Sequence, residues 1–270
     1  MTASYGVAMS IKRKRIDELL VQEKRLDGRG LLDYRMIKAE HGLIGKANGS
    51  ALVSIGNTKV MVGVKIETGT PFPDTPNEGV LAVNAELVPL ASPSFEPGPP
   101  NEDSIELARV VDRGIRESKA LDTAKLCILP GKKAFIVFVD IYVLDHDGNL
   151  FDTSALAAIL ALSTAKMKQF EVSNGEVVFK EDWVSLPVRK HPIEVTMAKI
   201  GDRLVVDPSL EEESAVDAEV ILAIDDEGNV CATQKTKIGT LTVKDIVDSV
   251  KIAQTKADEL RAKVLGGLSQ

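Results

Sequence analysis

The chain has 270 residues, of which 44% are hydrophobic and 27% are charged, so it can bury a sizeable core in one large or two modest domains. Its formal net charge of −7 argues against a free-standing nucleic-acid-binding protein, and its aromatic content of 4% argues against a stacking platform for single strands. The two cysteines, Cys127 and Cys231, lie far apart and outside any C-x-x-C pattern, which excludes a disulfide scaffold and a cysteine zinc site.

The first residues, 1–24, are predicted to form an N-terminal helical extension. The stretch SIKRKRIDELLVQEKR at 10–25 has the pattern of an opening helix, and no apolar segment of the signal-peptide type precedes it. The longest uncharged helical stretch, TSALAAILALSTA at 153–165, has about 13 residues, whereas a helix that spans a bilayer needs about 20. We therefore expect a cytoplasmic protein without a membrane partner.

Two β-rich runs follow, joined by a tight turn. The stretch ALVSIGNTKVMVGVKIET at 51–68 places them on either side of a Gly-Asn pair, which is typical of a β-hairpin. A loop rich in proline and glycine, 89–103, comes next. The pattern then predicts a helix over 106–118.

This predicted helix has an apolar side and a basic side. At about 100° per residue, one side carries the apolar residues Leu107, Val110, Val111 and Ile115. Arg109, Arg113 and Arg116 cluster within about 60° of arc on the other side. Such a row is either a solvated face, held by weak ion pairs with acids of the same helix, or a face that binds phosphate or an RNA backbone.

The remainder of the chain suggests a repeated unit. Residues 133–170 predict a strand, an Asp-Gly turn, a short strand and a long helix that is apolar nearly all round and therefore buried. A similar order recurs in a hairpin at 193–210, strands at 218–234 and a helix at 242–264. We interpret these as two pseudo-equivalent halves of an α+β fold, joined near 174–192.

Several of these segments together resemble the RNase PH family. The order RLDGR, GSALVSIGNTKVMVGV, the proline-rich loop with its helix, DGN followed by SALAAILAL, and VVDPSLEEE followed by Asp217 matches that family from about residue 25 to residue 255. The resemblance implies an RNase PH-like fold built from two pseudo-repeated β-α units with mixed sheets and flanking helices. It divides the chain into the extension 1–24, a first domain 25–173 and a second domain 174–270.

The family consists of phosphorolytic 3′→5′ exoribonucleases that assemble into hexameric rings. The chain is most similar to the RNase PH-like subunits of the archaeal exosome, in which two kinds of subunit alternate as three heterodimers and one kind holds the active site. The partners implied are a catalytic RNase PH-like subunit, RNA-binding cap subunits, and single-stranded RNA in the assembled complex. No cofactor and no metal are implied.

Three departures from the family pattern favour the non-catalytic kind of subunit. Where catalytic relatives carry an arginine pair that grips RNA, this sequence has Glu102 and Asp103, which have the wrong sign for phosphate. Where they carry the arginine that binds the attacking phosphate, an ungapped overlay places Phe151, which cannot donate a hydrogen bond. Where they carry Glu-Asp followed six residues later by Asp, this sequence has Glu213 in place of the first Asp, and Asp217 comes two residues too soon.

We therefore expect no catalytic residue in this chain, and we expect Arg109, Arg113 and Arg116 to contact RNA bound at the partner's site. One alternative is an active phosphorolytic exoribonuclease that uses Glu213 and Asp217. Another is a structural spacer of the ring whose arginines touch only the partner protein. A third is an unrelated small-molecule enzyme with the same fold, for which the sequence offers no nucleotide or metal motif.

Overall fold

Two β-sheets pack against one central helix. The computed structural model describes residues 2–173 and 176–269. The first elements are α1 (Thr2–Val21), β1 (Ile37–His41), β2 (Gly49–Ile55), β3 (Thr58–Gly69), β4 (Val80–Leu87), α2 (Glu102–Glu117), β5 (Cys127–Leu129), β6 (Lys133–Asp145) and α3 (Leu150–Thr164). They are followed by β7 (Lys166–Ser173), β8 (Glu176–Ser185), β9 (Ile193–Ile200), β10 (Arg203–Val206), α4 (Leu210–Glu213), β11 (Ala218–Ile224), β12 (Val230–Thr236) and α5 (Val243–Leu265). Short 3-10 helices cover Thr123–Leu126 and Gly266–Ser269.

The first sheet is mixed and has the order β1-β2-β3-β6-β4, with β5 paired to β6. The predicted hairpin is confirmed: β2 and β3 are antiparallel, and Ile55 pairs with Thr58 across the turn. Gly56 there has a φ of +60°, a conformation that glycine adopts without a steric penalty. Strand β4 runs parallel to β6 because the long segment that contains α2 carries the chain back to the starting edge.

The second sheet is antiparallel throughout and has the order β10-β9-β11-β12. Helix α3 contacts β2 and β3 of the first sheet and β9 of the second. Its residues from Asp152 to Leu162 are all buried, as its apolar sequence predicts. One hydrophobic cluster joins the two sheets and α3, so both halves share a core. The predicted α+β fold class, with mixed sheets and flanking helices, is confirmed.

The structure corrects two predictions of local structure. The short strand expected after the Asp-Gly turn is not formed, because α3 begins at Leu150 directly after Asn149, whose φ of +55° ends the turn. The stretches 133–170 and 218–264, interpreted as repeats of one another, also differ at their Gly-Asn pairs: Gly148-Asn149 leads into a helix, whereas Gly228 lies in the turn between β11 and β12. The halves thus share an order of elements but not a strand-by-strand equivalence.

The N-terminal helix packs on the second sheet. Ile16 and Leu20 are buried in a small cluster with Ala198, Ile200 and Val205. The helix ends at Val21, four residues earlier than the pattern predicts. The predicted boundary between the two domains falls after residue 173, at residues 174 and 175, which lie outside the described residues. No helix among the described residues is long and apolar enough to cross a membrane.

Candidate nucleic-acid interface

Helix α2 presents the three arginines because its other side is anchored in the core. The Asn101 side chain accepts a hydrogen bond from the Ser104 backbone N–H at 3.0 Å, so the helix begins at Glu102, earlier than predicted. The apolar side is buried against β4, α3 and β12. Gly114 lies on this side, and a side chain there would collide with the buried Glu194 carboxylate.

Arg109 and Arg116 lie on the outer surface of α2. Arg109 is exposed and has no hydrogen-bond or ion-pair partner within the described part of the chain. The side chain of Arg116 is 49% exposed; its Nη2 lies 2.8 Å from Asp112 Oδ1 and donates to the Leu81 carbonyl at 3.2 Å. The hydrogen bond and charge of Asp112 raise the pKa of Arg116, so the guanidinium stays charged. Both arginines are accessible to an incoming phosphate.

Arg113 has a different environment, because it connects α2 to the second sheet. Its Nη1 donates to Gln234 Oε1 at 2.9 Å, and Gln234 Nε2 donates to Glu106 Oε1 at 3.1 Å. Arg113 also lines a small gap with Glu194, whose pKa is raised to about 8 by burial and by the charge of Asp152, against the opposing effect of Arg113. Arg113 is half-buried, so it contributes to packing as well as to the charge of the face.

A cavity of about 390 Å³ at the C-terminal end of α2 adds two cations to the predicted set. Arg116, Lys119 and Arg189 line it, together with the exposed Phe72. Arg189 forms an ion pair with the buried carboxylate of Asp122. The prediction omitted Lys119, which follows Arg116 by three residues just beyond the end of α2, and omitted Arg189, for which the sequence carries no signal.

A second cavity, of about 300 Å³, lies where the resemblance places an active site. Its charged lining consists mostly of carboxylates, and we call it the acidic pocket: Asp103, Glu106, Glu213 and Glu219, with Lys237, His146 and Phe151. Phe151 therefore does lie in the pocket, as the overlay predicted for the position of the phosphate-binding arginine. Burial lowers the pKa of His146, so the imidazole stays neutral near pH 7 and adds no positive charge.

Two glutamates of the acidic pocket, the half-buried Glu213 and the buried Glu219, have raised pKa values. Burial raises the pKa of Glu213 to about 7; the nearby charge of Glu219 acts in the same direction, and a hydrogen bond from the Asn149 backbone N–H opposes it. Burial also raises the pKa of Glu219, although the Thr236 hydroxyl donates to its Oε2 at 2.5 Å. An attacking phosphate would meet carboxyl groups here rather than a ring of cations.

The residue that precedes the N-terminus of α3 is bonded to the protein's own acids. The Asn149 backbone N–H donates to Glu213 Oε1 at 2.7 Å, and the Asn149 side-chain amide donates to Asp152 and Asp207. In catalytic relatives the resemblance implies that this helix end binds phosphate. In this chain the carboxyl group of Glu213 lies beside it.

Glu213 lines the acidic pocket, whereas Asp217, its partner in the catalytic alternative, does not. Asp217 lies 2.5 Å from Arg13 of α1 and accepts from the Gly201 backbone N–H at 2.9 Å. Burial raises the pKa of Asp217, but the hydrogen bonds from Gly201 and Arg13 outweigh it and the net pKa is lowered. Glu219, six residues after Glu213, also lines the pocket and lies at the family spacing that the prediction overlooked.

The RLDGR segment is part of the structural core, and its arginines point inward. Arg25 forms a buried ion pair with Glu212, and Arg29 Nη1 lies 2.7 Å from Asp207 Oδ2. Arg35 Nη2 lies 2.7 Å from the other oxygen of Asp207. We call these three residues, Arg25, Arg29 and Arg35, the buried arginine cluster. Their hydrogen bonds tie the start of the first half to the β10–α4 segment of the second half.

Comparisons with known proteins agree with this architecture. Residues 33–168 match domain 1 of the 3′ exoribonuclease family, RNase PH, and residues 190–256 match domain 2. The chain is 50% identical over 266 residues to exosome complex component Rrp42 of Pyrococcus furiosus, covering 98% of this chain and 96% of that protein. It is 51% identical over 261 residues to the component of the same name from Thermococcus onnurineus, covering 96% of each.

A solved structure of the Archaeoglobus fulgidus exosome with RNA bound to the active site contains a similar chain. That chain is 48% identical and superimposes with a TM-score of 0.87 over 95% of this protein and 99% of its own length. A chain of rice Rrp46 is 16% identical with a TM-score of 0.68, which shows the shared fold alone. Since both family domains match in order and span most of the sequence, the chain belongs to the RNase PH family of 3′ exoribonuclease domains.

Proposed function

We propose that this protein is a non-catalytic subunit of the archaeal RNA-degrading exosome. It would pair with a catalytic RNase PH-like subunit in a cytoplasmic hexameric ring that also carries RNA-binding cap subunits. Its similarity to exosome components of several archaea, over nearly the full length of each, supports this assignment. The domain division into 1–24, 25–173 and 174–270 is part of the proposal.

The composition of the acidic pocket is the observation that carries the non-catalytic assignment. Phosphorolysis requires a bound phosphate that attacks the RNA backbone, and phosphate binding requires cations or unoccupied N–H donors. The pocket offers four carboxyl groups and one lysine, Lys237. Phe151, which the overlay puts in place of the phosphate-binding arginine, lines the pocket, and Glu213 accepts a hydrogen bond from the residue that caps α3. A chain with this pocket binds phosphate poorly and is therefore expected to lack phosphorolytic activity.

In this proposal, the function of the subunit itself is to contact RNA through the α2 arginines. In a ring of alternating subunits, a catalytic pocket lies close to the interface, so a neighbouring helix can hold arginines against RNA in the partner's site. Arg109 and Arg116 are accessible for this contact, while Arg113 is held by Gln234 and contributes its charge. Lys119 extends the positive charge past the C-terminal end of the helix, whereas the charge of Arg189 is balanced by the buried carboxylate of Asp122.

The test is a phosphate-dependent trimming assay on labelled single-stranded RNA. We expect no release of nucleoside diphosphate by this chain alone, and faster trimming by the mixture with the catalytic subunit than by the catalytic subunit by itself. Phosphorolysis by this chain alone that is lost in Glu213→Gln would overturn the non-catalytic assignment and place the chemistry in the acidic pocket.

Substitution of the α2 arginines in the same assembled complex tests whether they contact RNA. Arg109→Ala combined with Arg116→Ala should weaken RNA binding in phosphate-free buffer, and the log–log salt dependence should become less steep by about 0.7 for each arginine that contacts a phosphate. The matched control is Lys244→Ala with Lys251→Ala, which removes two exposed cations from α5. If the arginine variant fails to form the ring while the control assembles, the arginines contact the partner protein instead.

A further inference from the structure

Cations and aromatic rings line a cavity beside the hairpin that β7 and β8 form. The net charge and the aromatic content of the whole chain argue against a site of this kind. The cavity has a volume of about 480 Å³ and lies between this hairpin, the end of β3 and the segment that precedes β2. We call it the lysine–aromatic cavity and define it by Lys46, Lys65, Lys168, Phe135, Phe179 and Trp183. It shares no lining residue with the cavity at the end of α2.

The aromatic side chains form a graded cluster from the core to the surface. Phe135 on β6 is buried, and it meets Phe170 and Phe179 of the hairpin edge-on, with ring centroids 5.5 Å and 6.2 Å away. Phe179 is 37% exposed and Trp183, the one tryptophan of the sequence, is 53% exposed. Core packing explains Phe135, but it does not explain the exposed faces of Phe179 and Trp183, whose further neighbours are the lysines Lys133 and Lys168.

The lysines around these rings are available for an anion. Lys46, Lys65 and Lys168 are exposed, and within residues 2–173 and 176–269 no carboxylate lies within ion-pair distance of their ammonium groups. Lys168 Nζ instead lies 5.9 Å from the centre of the Trp183 ring, which is an exposed cation–π contact. Glu67 is the one acidic residue of the lining, so the cavity is positive in a protein whose net charge is −7.

We infer that the lysine–aromatic cavity binds single-stranded RNA, with a base stacked on Trp183 or Phe179 and phosphates paired with the lysines. Aromatic faces beside cations are the combination that holds unpaired bases, since every base has a π-face and every nucleotide a phosphate. Lys168 lies over the ring in the RNA-free protein and would move from Trp183 to a phosphate as the base takes its place. An acidic protein segment would use the lysines but would leave the exposed rings unexplained.

Trp183 provides a direct measurement, because all tryptophan fluorescence of the full chain, excited at wavelengths that tyrosine does not absorb, comes from this one residue. Titration of an oligouridylate of about 12 nucleotides at low salt should quench it to saturation. The quenching should persist in the Arg109→Ala, Arg116→Ala variant, so that failure of this site and failure of the α2 face can be told apart. No quenching by the oligouridylate would overturn the inference.

Two further variants separate stacking from charge, with binding followed by the anisotropy of a labelled oligouridylate. Trp183→Ala should weaken binding about fivefold or more, whereas Trp183→Phe should retain most of it. Lys65→Ala with Lys168→Ala should make the salt dependence less steep by about 1.4, at about 0.7 for each phosphate contact, and the Lys244→Ala, Lys251→Ala control should bind as the parent does. A polyglutamate peptide that binds as tightly as the oligouridylate would overturn the RNA assignment in favour of an acidic protein partner.

Discussion

The buried arginine cluster and the α2 arginines place the same side chain in two environments. Each guanidinium of the buried cluster faces a carboxylate that is itself at most 2% exposed, on Glu212 or on Asp207. On α2, Arg109 has no partner in the described part of the chain, and Arg116 pairs with Asp112, whose side chain is 28% exposed. A guanidinium with a buried partner holds the fold together, whereas one that remains in water is available for a ligand.

Among the changes that test this comparison, removing the buried carboxylate partner of an arginine should lower stability the most. Glu212→Ala leaves the Arg25 guanidinium buried without a counter-charge and also removes the capping box at Ser209. We expect the free energy of unfolding to fall by about 3–5 kcal/mol, measured by chemical denaturation.

The neighbouring residue supplies a matched control. Glu211 lies on the same short helix and pairs with Lys12, but both side chains are more than half exposed. Glu211→Ala should therefore change the free energy of unfolding by no more than about 0.5 kcal/mol. Equal losses in the two variants would show that burial does not set the role of these ion pairs.

Glu194, the buried carboxyl group beside Arg113, should give the next largest change in stability. The size of this change depends on pH. Burial raises the pKa of Glu194 from 4.5 to about 8, so the folded protein retains a proton that the unfolded chain releases. The contribution of Glu194 to the free energy of unfolding is fully present below about pH 4.5 and is lost as the pH rises towards 8. Glu194→Gln should remove this loss, so the stabilising effect of the substitution should grow by about 3–5 kcal/mol between about pH 5 and pH 9.

Denaturation curves at the two pH values measure this difference. Glu86→Gln is the control, since Glu86 is exposed on β4. Glu213, with a pKa of about 7, contributes in the same direction and remains in both variants. A stability difference between Glu194→Gln and the parent that is the same at both pH values would contradict the buried, protonated state of Glu194.

The smallest effect is expected on α2 itself. Arg116→Ala removes one exposed pair with Asp112 four residues earlier, which is worth about 0.3–0.5 kcal/mol. Arg109→Ala should change stability still less, because no partner within the described residues is lost. Thermal denaturation of the isolated chain checks both. A loss above about 1.5 kcal/mol for Arg116→Ala would assign this arginine to the structure instead of to RNA.

Local structure could be predicted from the sequence to a large extent. The β2–β3 hairpin, the arginine helix, the buried helix α3 and the final helix are all found, within a few residues of their predicted bounds. The error after the Asp-Gly turn has a local cause. Asn149, which has a positive φ, directly precedes a helix at the place where a short strand was predicted. The placement of Phe151 in the acidic pocket was also predictable, because it depends on one turn and the helix that follows.

Periodicity and motif order determined the fold class, the family and the face of α2 that carries the arginines, because these depend on neighbours in sequence. Only the tertiary structure decided which charges meet. It directed Asp217 to Arg13 and Glu219 to the acidic pocket, and it placed Arg189 beside Arg116. It also gathered a small number of aromatic residues beside unpaired lysines, which composition alone argued against. Net charge and aromatic content are averages over the whole chain, whereas binding depends on the local field and surface that packing assembles.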